Sequence, residues 1–284
     1  MGKERSKNIG VLTGHLETPY IREILRGMKD AAAAQQNNLL VFPGMYDQAY
    51  AGCDDAAQEV NENKQYSQMF SYALSCELDV LLVSVDTIRF IEPEIIGRLK
   101  QRLGDVPCLM LESSAYGEPF YVIENEQGMR DCLEHLISEH HCHHIAFVGG
   151  PAGNYGANIR QQVFEQVLQE HGYAVNPSDI EHGDYSFYSG KQAAQRILHR
   201  NVRVDAICFA NDWMALGGYE AIKEAGLLIG KDIAVTGFDD IREAACVDLA
   251  VRRVLANAYE FGFRALERAL DLVVGRKPRM TAFP

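Results

Sequence analysis

The stretch Val204-Asp205-Ala206-Ile207-Cys208-Phe209-Ala210-Asn211-Asp212, continued to Ile233-Ala234-Val235-Thr236-Gly237-Phe238-Asp239-Asp240, decides the fold. Its two apolar runs are short, rich in β-branched and aromatic residues, and bounded by polar residues. That is the pattern of strands buried on both faces of a parallel sheet. Between them Met214, Gly218, Ala221 and Ala225 recur at helical spacing. Asn211 or Asp212 can cap the start of that helix, and Gly226 suits the position just past its end. Strand, helix and strand make one βαβ unit. Each strand ends in polar groups, Asn211 and Asp212 after the first, Asp239 and Asp240 after the second. In open α/β sheets the ligand crevice lies outside the carboxyl ends of the strands. The same residues serve equally well as helix caps and a turn, so this unit alone leaves both readings open.

The rest of the chain repeats the alternation. Strand-like runs occur at residues 8–14, 38–42, 79–85, 106–111, 120–123, 144–150, 181–185 and 251–255. Helical patterns fall at 19–32, 65–76, 95–103, 125–139, 158–172, 189–198 and 259–274, with Pro19 at a first-turn position that tolerates it. Alternation of this kind predicts parallel sheets with helices on both faces. So many strands in 284 residues predict two doubly wound halves, with the break at 138–143. The expected boundaries are 8–138 plus 256–279 for the first half and 139–254 for the second, with a tail at 1–7. His15 and Tyr20 then fall in the first strand-to-helix loop, Asp86 follows the third strand, and Arg160 stands at a helix start. Tyr185 closes a short strand. The connection at 43–64 is long for a βα loop and reads as a pocket cover or a solvated excursion.

Composition excludes several classes. The formal net charge is -12, against nucleic acid as the main partner. No apolar run reaches the length of a membrane span, and residues 2–8 lack the apolar core of a signal peptide. Seven scattered cysteines, several in strand-like runs, read as reduced thiols of a cytoplasmic protein. His140-His141-Cys142-His143-His144 invites a metal, but five adjacent residues cannot converge on one ion and fit no closed-site spacing. No metal is therefore expected. Gly149-Gly150-Pro151 lacks the glycine spacing and lysine of a phosphate loop, so no nucleotide cofactor is expected. Asp239 and Asp240 alternate faces on a strand and make a poor acid/base pair, and no serine elbow is present. The reading is a binding protein, not an enzyme. Trp213, beside Asn211, either lines the pocket or packs in the core.

The order and spacing of several motifs resemble the ligand-binding core of the lactose-repressor family, itself similar to periplasmic sugar-binding proteins. The pieces are Asn8-Ile-Gly-Val-Leu12, Pro19-Tyr20, Glu134-His135-Leu136-Ile137, Ile145-Ala-Phe-Val-Gly-Gly-Pro151, Ala210-Asn-Asp-Trp-Met-Ala-Leu-Gly217, Asp232-Ile-Ala-Val-Thr-Gly-Phe-Asp-Asp240 and Tyr259-Glu-Phe-Gly262. The resemblance implies two Rossmann-like subdomains of the periplasmic binding protein type I fold, joined by a hinge, with a small polar metabolite or sugar between them. It implies that Arg160, Asn211 and Asp239 grip ligand hydroxyls while Tyr185 covers a ring face. It also implies a homodimer. Two departures are Val163 where the family has glycine, and Arg252-Arg253 where it has threonines. No DNA-reading head precedes Asn8, and residues 280–284 read as a truncated final crossover. The long 43–64 connection and Val163 look more like sensor modules fused to diguanylate cyclase (GGDEF) domains. The favoured expectation is thus a sensor for an attached output module. The alternatives are the core of a transcription regulator without its head, or a transporter's solute-binding protein. On either of the first two, Arg160→Ala and Asp239→Ala should each weaken binding about tenfold or more and leave the fold intact.

Overall fold

The computed structural model describes residues 5–14, 16, 18–44, 71–84, 101–112, 119–152, 154–200, 204–239, 241, 257–276 and 282–283. The chain forms two compact units, one of Met1–Ile123 with Ala258–Pro284, the other of Glu124–Asn257.

The first unit holds β1 (Asn8–Gly14), α1 (Pro19–Ala34), β2 (Asn38–Gly44), β3 (Val80–Ser84), β4 (Cys108–Leu111) and β5 (Phe120–Ile123). All are parallel, in the order β5-β4-β3-β1-β2. Thr18 starts α1 by accepting the Ile21 N–H, with Pro19 supplying the pre-set φ of a first-turn residue. Every residue of β3 and β4 is buried, as a two-faced sheet requires.

The second unit holds α2 (Asn125–Ser138), β6 (Ile145–Gly149), α3 (Tyr155–Glu170), β7 (Ile180–His182), α4 (Phe187–His199), β8 (Ala206–Phe209), α5 (Asp212–Glu224) and β9 (Ala234–Thr236). Its sheet is also parallel, in the order β7-β6-β8-β9. Phe147 of β6 stacks on Phe164 of α3 at 4.9 Å between ring centroids, both fully buried. The chain returns to the first unit in α6 (Ala258–Val273), whose Phe261 stacks on Tyr121 at 5.0 Å. Finally β10 (Ala282–Phe283) pairs with β5 at the edge of the first sheet.

Both sheets therefore share one winding pattern, the second strand lying outside the first and the third and fourth on its other side. The direction of winding reverses between β1 and β3 in one unit and between β6 and β8 in the other. Those reversals put a crevice at the carboxyl ends of the strands in each unit. Each unit also contains a helix pair packed through glycines. A Cβ on Gly27 of α1 would lie 1.9 Å from the Tyr259 carbonyl oxygen, and one on Gly262 of α6 2.0 Å from that of Ile24. In the second unit Gly190 of α4 and Gly217 of α5 meet in the same way.

The boundary differs from the sequence expectation. Helix α2 was expected in the first half, yet it lies in the second unit, so the crossings fall at 123–124 and 257–258. The physical reason is its packing. Asn125 bonds Arg160 of α3, Arg130 pairs with Glu170, and Met129 touches Cys208 of β8. The α3 helix begins three residues earlier than expected because Asn154 caps it, accepting the Ala157 N–H at 2.9 Å. No helix among the described residues is long and apolar enough to cross a membrane. The strand expected at 251–255 and nearly all of the 43–64 connection lie outside the described residues.

Candidate functional site

At the carboxyl end of the second sheet, Arg160 is the central group. It projects from the second turn of α3 and is only 6% exposed. Its Nε donates to Asn125 Oδ1 at 2.9 Å, and its Nη1 donates to the Ala210 carbonyl at the end of β8. Its Nη2 lies 3.9 Å from Asp239 Oδ1. The guanidinium plane covers the Phe238 ring, 3.7 Å from the centroid, a cation–π contact. One side chain thus joins the helix after β6, the end of β8 and the end of β9, across the point where the winding reverses.

Asn211 caps α5, its Oδ1 accepting the Met214 N–H at 2.9 Å, while its Nδ2 donates to the Tyr185 carbonyl at 3.3 Å. The capping reading left open by the sequence holds for Asn211, and the same side chain ties the start of α5 to Tyr185. Tyr185 donates its hydroxyl to Asn154 Oδ1 at 3.1 Å, and its ring lies over Gly150, where a Cβ would come within 2.5 Å of it. Gly150 is thus needed for the approach of the ring to the backbone. Trp213 is half-buried and packs edge-on to Phe187, centroids 6.2 Å apart.

Two of these residues hold a backbone shape that side chains disfavour. Tyr185 has φ 72° and Asp239 φ 105°. In the first unit Glu112, just past β4, has φ 62°. All three sit at carboxyl ends of strands. Among the described residues the other two such non-glycine positions, Gln36 and His141, each follow the end of a helix, where a left-handed residue is ordinary. Strain of this kind costs on the order of 1–3 kcal/mol per residue and clusters where ligands are held.

In the first unit Tyr20 donates its hydroxyl to Glu112 Oε1 at 2.5 Å. Thr13 and Ser84, at the ends of β1 and β3, are buried. His15 and Asp86, both expected in the site, lie outside the described residues, as does Asp240. Sequence reasoning missed Asn125, Asn154, Phe238 and Glu112. One of them had a signal, since Asn154 stands before α3 at its capping position; Asn125 opens α2 behind the Glu124 cap and had only its place at a helix start. Glu112 and Phe238 had none beyond their place after strands.

The histidine run disperses. His140 meets His135 at 3.2 Å between Nε2 atoms, His143 Nδ1 meets the Tyr173 hydroxyl at 2.8 Å, and His144 Nε2 meets Asp179 at 2.9 Å. Cys142 is held at a pKa of about 11 by burial and by the Asp205 carboxylate, which disfavours the thiolate a metal needs.

Asp184, before Tyr185, is held below the usual carboxylate range. Burial pushes its carboxyl up, but the Ser186 and Ser189 hydroxyls and backbone N–H groups outweigh it. A depressed native pKa stabilises the fold above the unfolded value of about 3.9, and that contribution fades as pH falls through the lower native value. We therefore expect Asp184→Asn to flatten the loss of stability below about pH 4. Urea melts of both proteins from neutral to acid pH would show it, and parallel acid profiles would contradict it.

Comparison with known proteins agrees with the fold. The lactose operon repressor of Escherichia coli K12 is 31% identical over 173 residues, 61% of this chain and 47% of that repressor, so the match spans about half of its length. The crystal structure of the lac repressor dimer bound to operator and the anti-inducer ONPF superposes with a TM-score of 0.79, at 23% identity, over 96% of this chain and 88% of that one. A complex of the transcriptional regulator CelR with cellobiose superposes with a TM-score of 0.78, at 20% identity, over 98% and 81% of the two chains. These proteins carry the names of regulators of transcription, not of enzymes. The model of the periplasmic binding protein-like domain matches residues 133–282, more than half of the sequence. The chain belongs to the family of periplasmic binding protein-like domains.

Proposed function

We propose that this chain is the effector-binding core of a LacI-type transcription regulator, and that its effector is a small polar molecule of the sugar class. The observation that carries the proposal is the convergence of Arg160, Asn211 and Asp239 at the carboxyl ends of β6, β8 and β9, with Tyr185 and Asp239 held in strained backbone. A guanidinium fork, an amide and a carboxylate offer the paired donors and acceptors that a polyol needs, and Tyr185 offers a ring face. The names of the relatives, one of them a cellobiose complex, support the same class.

In this reading the protein binds without turnover and works in the cytoplasm. The effector shifts an equilibrium between two arrangements only through its differential affinity for them, and an attached DNA-binding head reads the shift. The core alone associates as a homodimer and shows no operator-specific binding, which sedimentation and a gel-shift titration would test. A second reading, control of a diguanylate cyclase or similar output module, is favoured only by Val163, buried where the family has glycine, and by the length of the 43–64 connection. The regulator reading stands first because the relatives reported above are regulators of transcription. The effector itself is testable by thermal shift. At least one neutral mono- or disaccharide should raise the melting temperature in proportion to the logarithm of its concentration. A flat response to every sugar would overturn the reading.

A further inference from the structure

Asp212 is a candidate cap of α5 by its sequence, but Asn211 takes that role, and the Asp212 side chain is turned to another use. It is fully buried, where an acidic group is tolerated only with partners. Its N–H donates to the Phe238 carbonyl at 2.7 Å, and its Oδ2 accepts the Ile241 N–H at 2.9 Å. The start of the helix after β8 thus holds the chain after β9 on either side of Asp239. Gly237 admits the carboxyl, since a Cβ there would lie 2.1 Å from Asp212 Oδ1. Within the held stretch Asp239 adopts its left-handed backbone, φ 105°. In that arrangement Phe238 lies against the Arg160 guanidinium, and Asp239 Oδ1 stands 3.9 Å from Arg160 Nη2. The adjacent Asn211 holds the other left-handed residue of the second unit's strand ends, through its bond to the Tyr185 carbonyl.

From this geometry we infer that Asp212 is a positioning residue of the effector site, fixing the strained backbone that presents Asp239. The inference rests on the reading of Asp239 as an effector-binding group and adds the residue that prepares it. A left-handed aspartate persists only while its surroundings over-determine it. Here the over-determination is the pair of bonds from Asp212. Without them the turn relaxes to ordinary backbone, and the effector must restore the strained form as it binds. Apparent affinity then falls with the fraction of molecules that still hold that form. Asp212 touches no effector in this account and acts only through the turn. A residue that served the fold alone would change affinity by the same factor whether or not the Asp239 side chain were present.

A double-mutant cycle separates the two roles. The probe is the neutral mono- or disaccharide that gives the largest thermal shift with wild type. It is titrated calorimetrically into wild type, Asp212→Ala, Asp239→Ala and the double variant, at a temperature where circular dichroism shows each of them folded. Asp212→Ala should lose about tenfold in affinity, and Asp212→Asn, which keeps an acceptor for the Ile241 N–H, should lose less. In the Asp239→Ala background the change at Asp212 should cost about twofold or less. Where Asp212→Ala does not fold, Gly237→Ala takes its place in the cycle, because its methyl group displaces the Asp212 carboxyl and leaves the residue in the chain. The same loss of effect in the Asp239→Ala background is expected of it. Equal losses in both backgrounds, or wild-type affinity in the single variant, would overturn the inference and leave the effector reading standing. Wild-type affinity in Asp239→Ala, or no shift with any sugar, would overturn the reading of Asp239 itself, and the inference with it.

Discussion

Arg160→Ala is expected to destabilise the second unit by about 3–5 kcal/mol, besides abolishing effector binding. The sequence alone suggests a residue that reaches for ligand and leaves the fold indifferent to its loss. The structure shows a buried guanidinium that also braces the unit. Its removal leaves the acceptors of Asn125 and Ala210 without this donor, takes the cation from beside Asp239, and strips the face of Phe238. Buried polar groups that lose a partner bear the full cost of desolvation. Domains are stable by only about 5–15 kcal/mol, so the loss is a large part of the whole. Arg160→Lys keeps the charge but cannot serve Asn125, Ala210 and Asp239 from one planar fork, so it should fall between wild type and alanine. Urea denaturation followed by circular dichroism checks both variants. A stability within about 1 kcal/mol of wild type for Arg160→Ala would mean that the bracing contacts carry little net energy.

Gly262→Ala is expected to destabilise the first unit by about 3 kcal/mol, although it adds a single methyl group. The new Cβ would lie 2.0 Å from the carbonyl oxygen of Ile24, and backbone cannot turn aside as a flexible side chain can. The α1 and α6 helices must move apart, and the sheet face beneath them loses its cover. Gly27→Ala makes the same demand from the opposite side, 1.9 Å from the Tyr259 carbonyl. Once the helices have parted for one methyl, the second should cost less. The double variant should therefore be less damaged than the sum of the two. Chemical denaturation of the two single variants and the double variant tests this, and strictly additive losses would contradict a shared displacement.

Much of this fold is legible in the residues. Short apolar runs mark every described strand of both sheets except β10 and part of β7, and Pro19 and the capping position of Asn211 mark two helix starts. What the sequence hides is which sheet a helix covers. Met129, Leu133 and Leu136 show that α2 has an apolar face, but not that Cys208 and α3 receive it. The site divides in the same way. The places of Arg160, Asn211 and Asp239 after their strands follow from alternation. The bracing role of Arg160 does not, because Asn125 lies 35 residues away in the chain. Nor do the left-handed backbones of Glu112, Tyr185 and Asp239, since no local pattern calls for them at non-glycine residues.

The most direct test of effector binding is calorimetric titration of wild type and Asp239→Asn with whichever neutral sugar shifts the melting temperature. Asparagine tolerates a left-handed backbone and keeps the size of the side chain, so the variant should fold like wild type. It removes only the charge beside Arg160 and one acceptor. The expected result is one binding site per chain in wild type and an affinity lower by about tenfold or more in the variant, which still unfolds in one cooperative transition at a melting temperature lowered by the charge lost beside Arg160. Equal affinity in the two proteins would contradict it, and would place the effector away from the carboxyl ends of β6, β8 and β9.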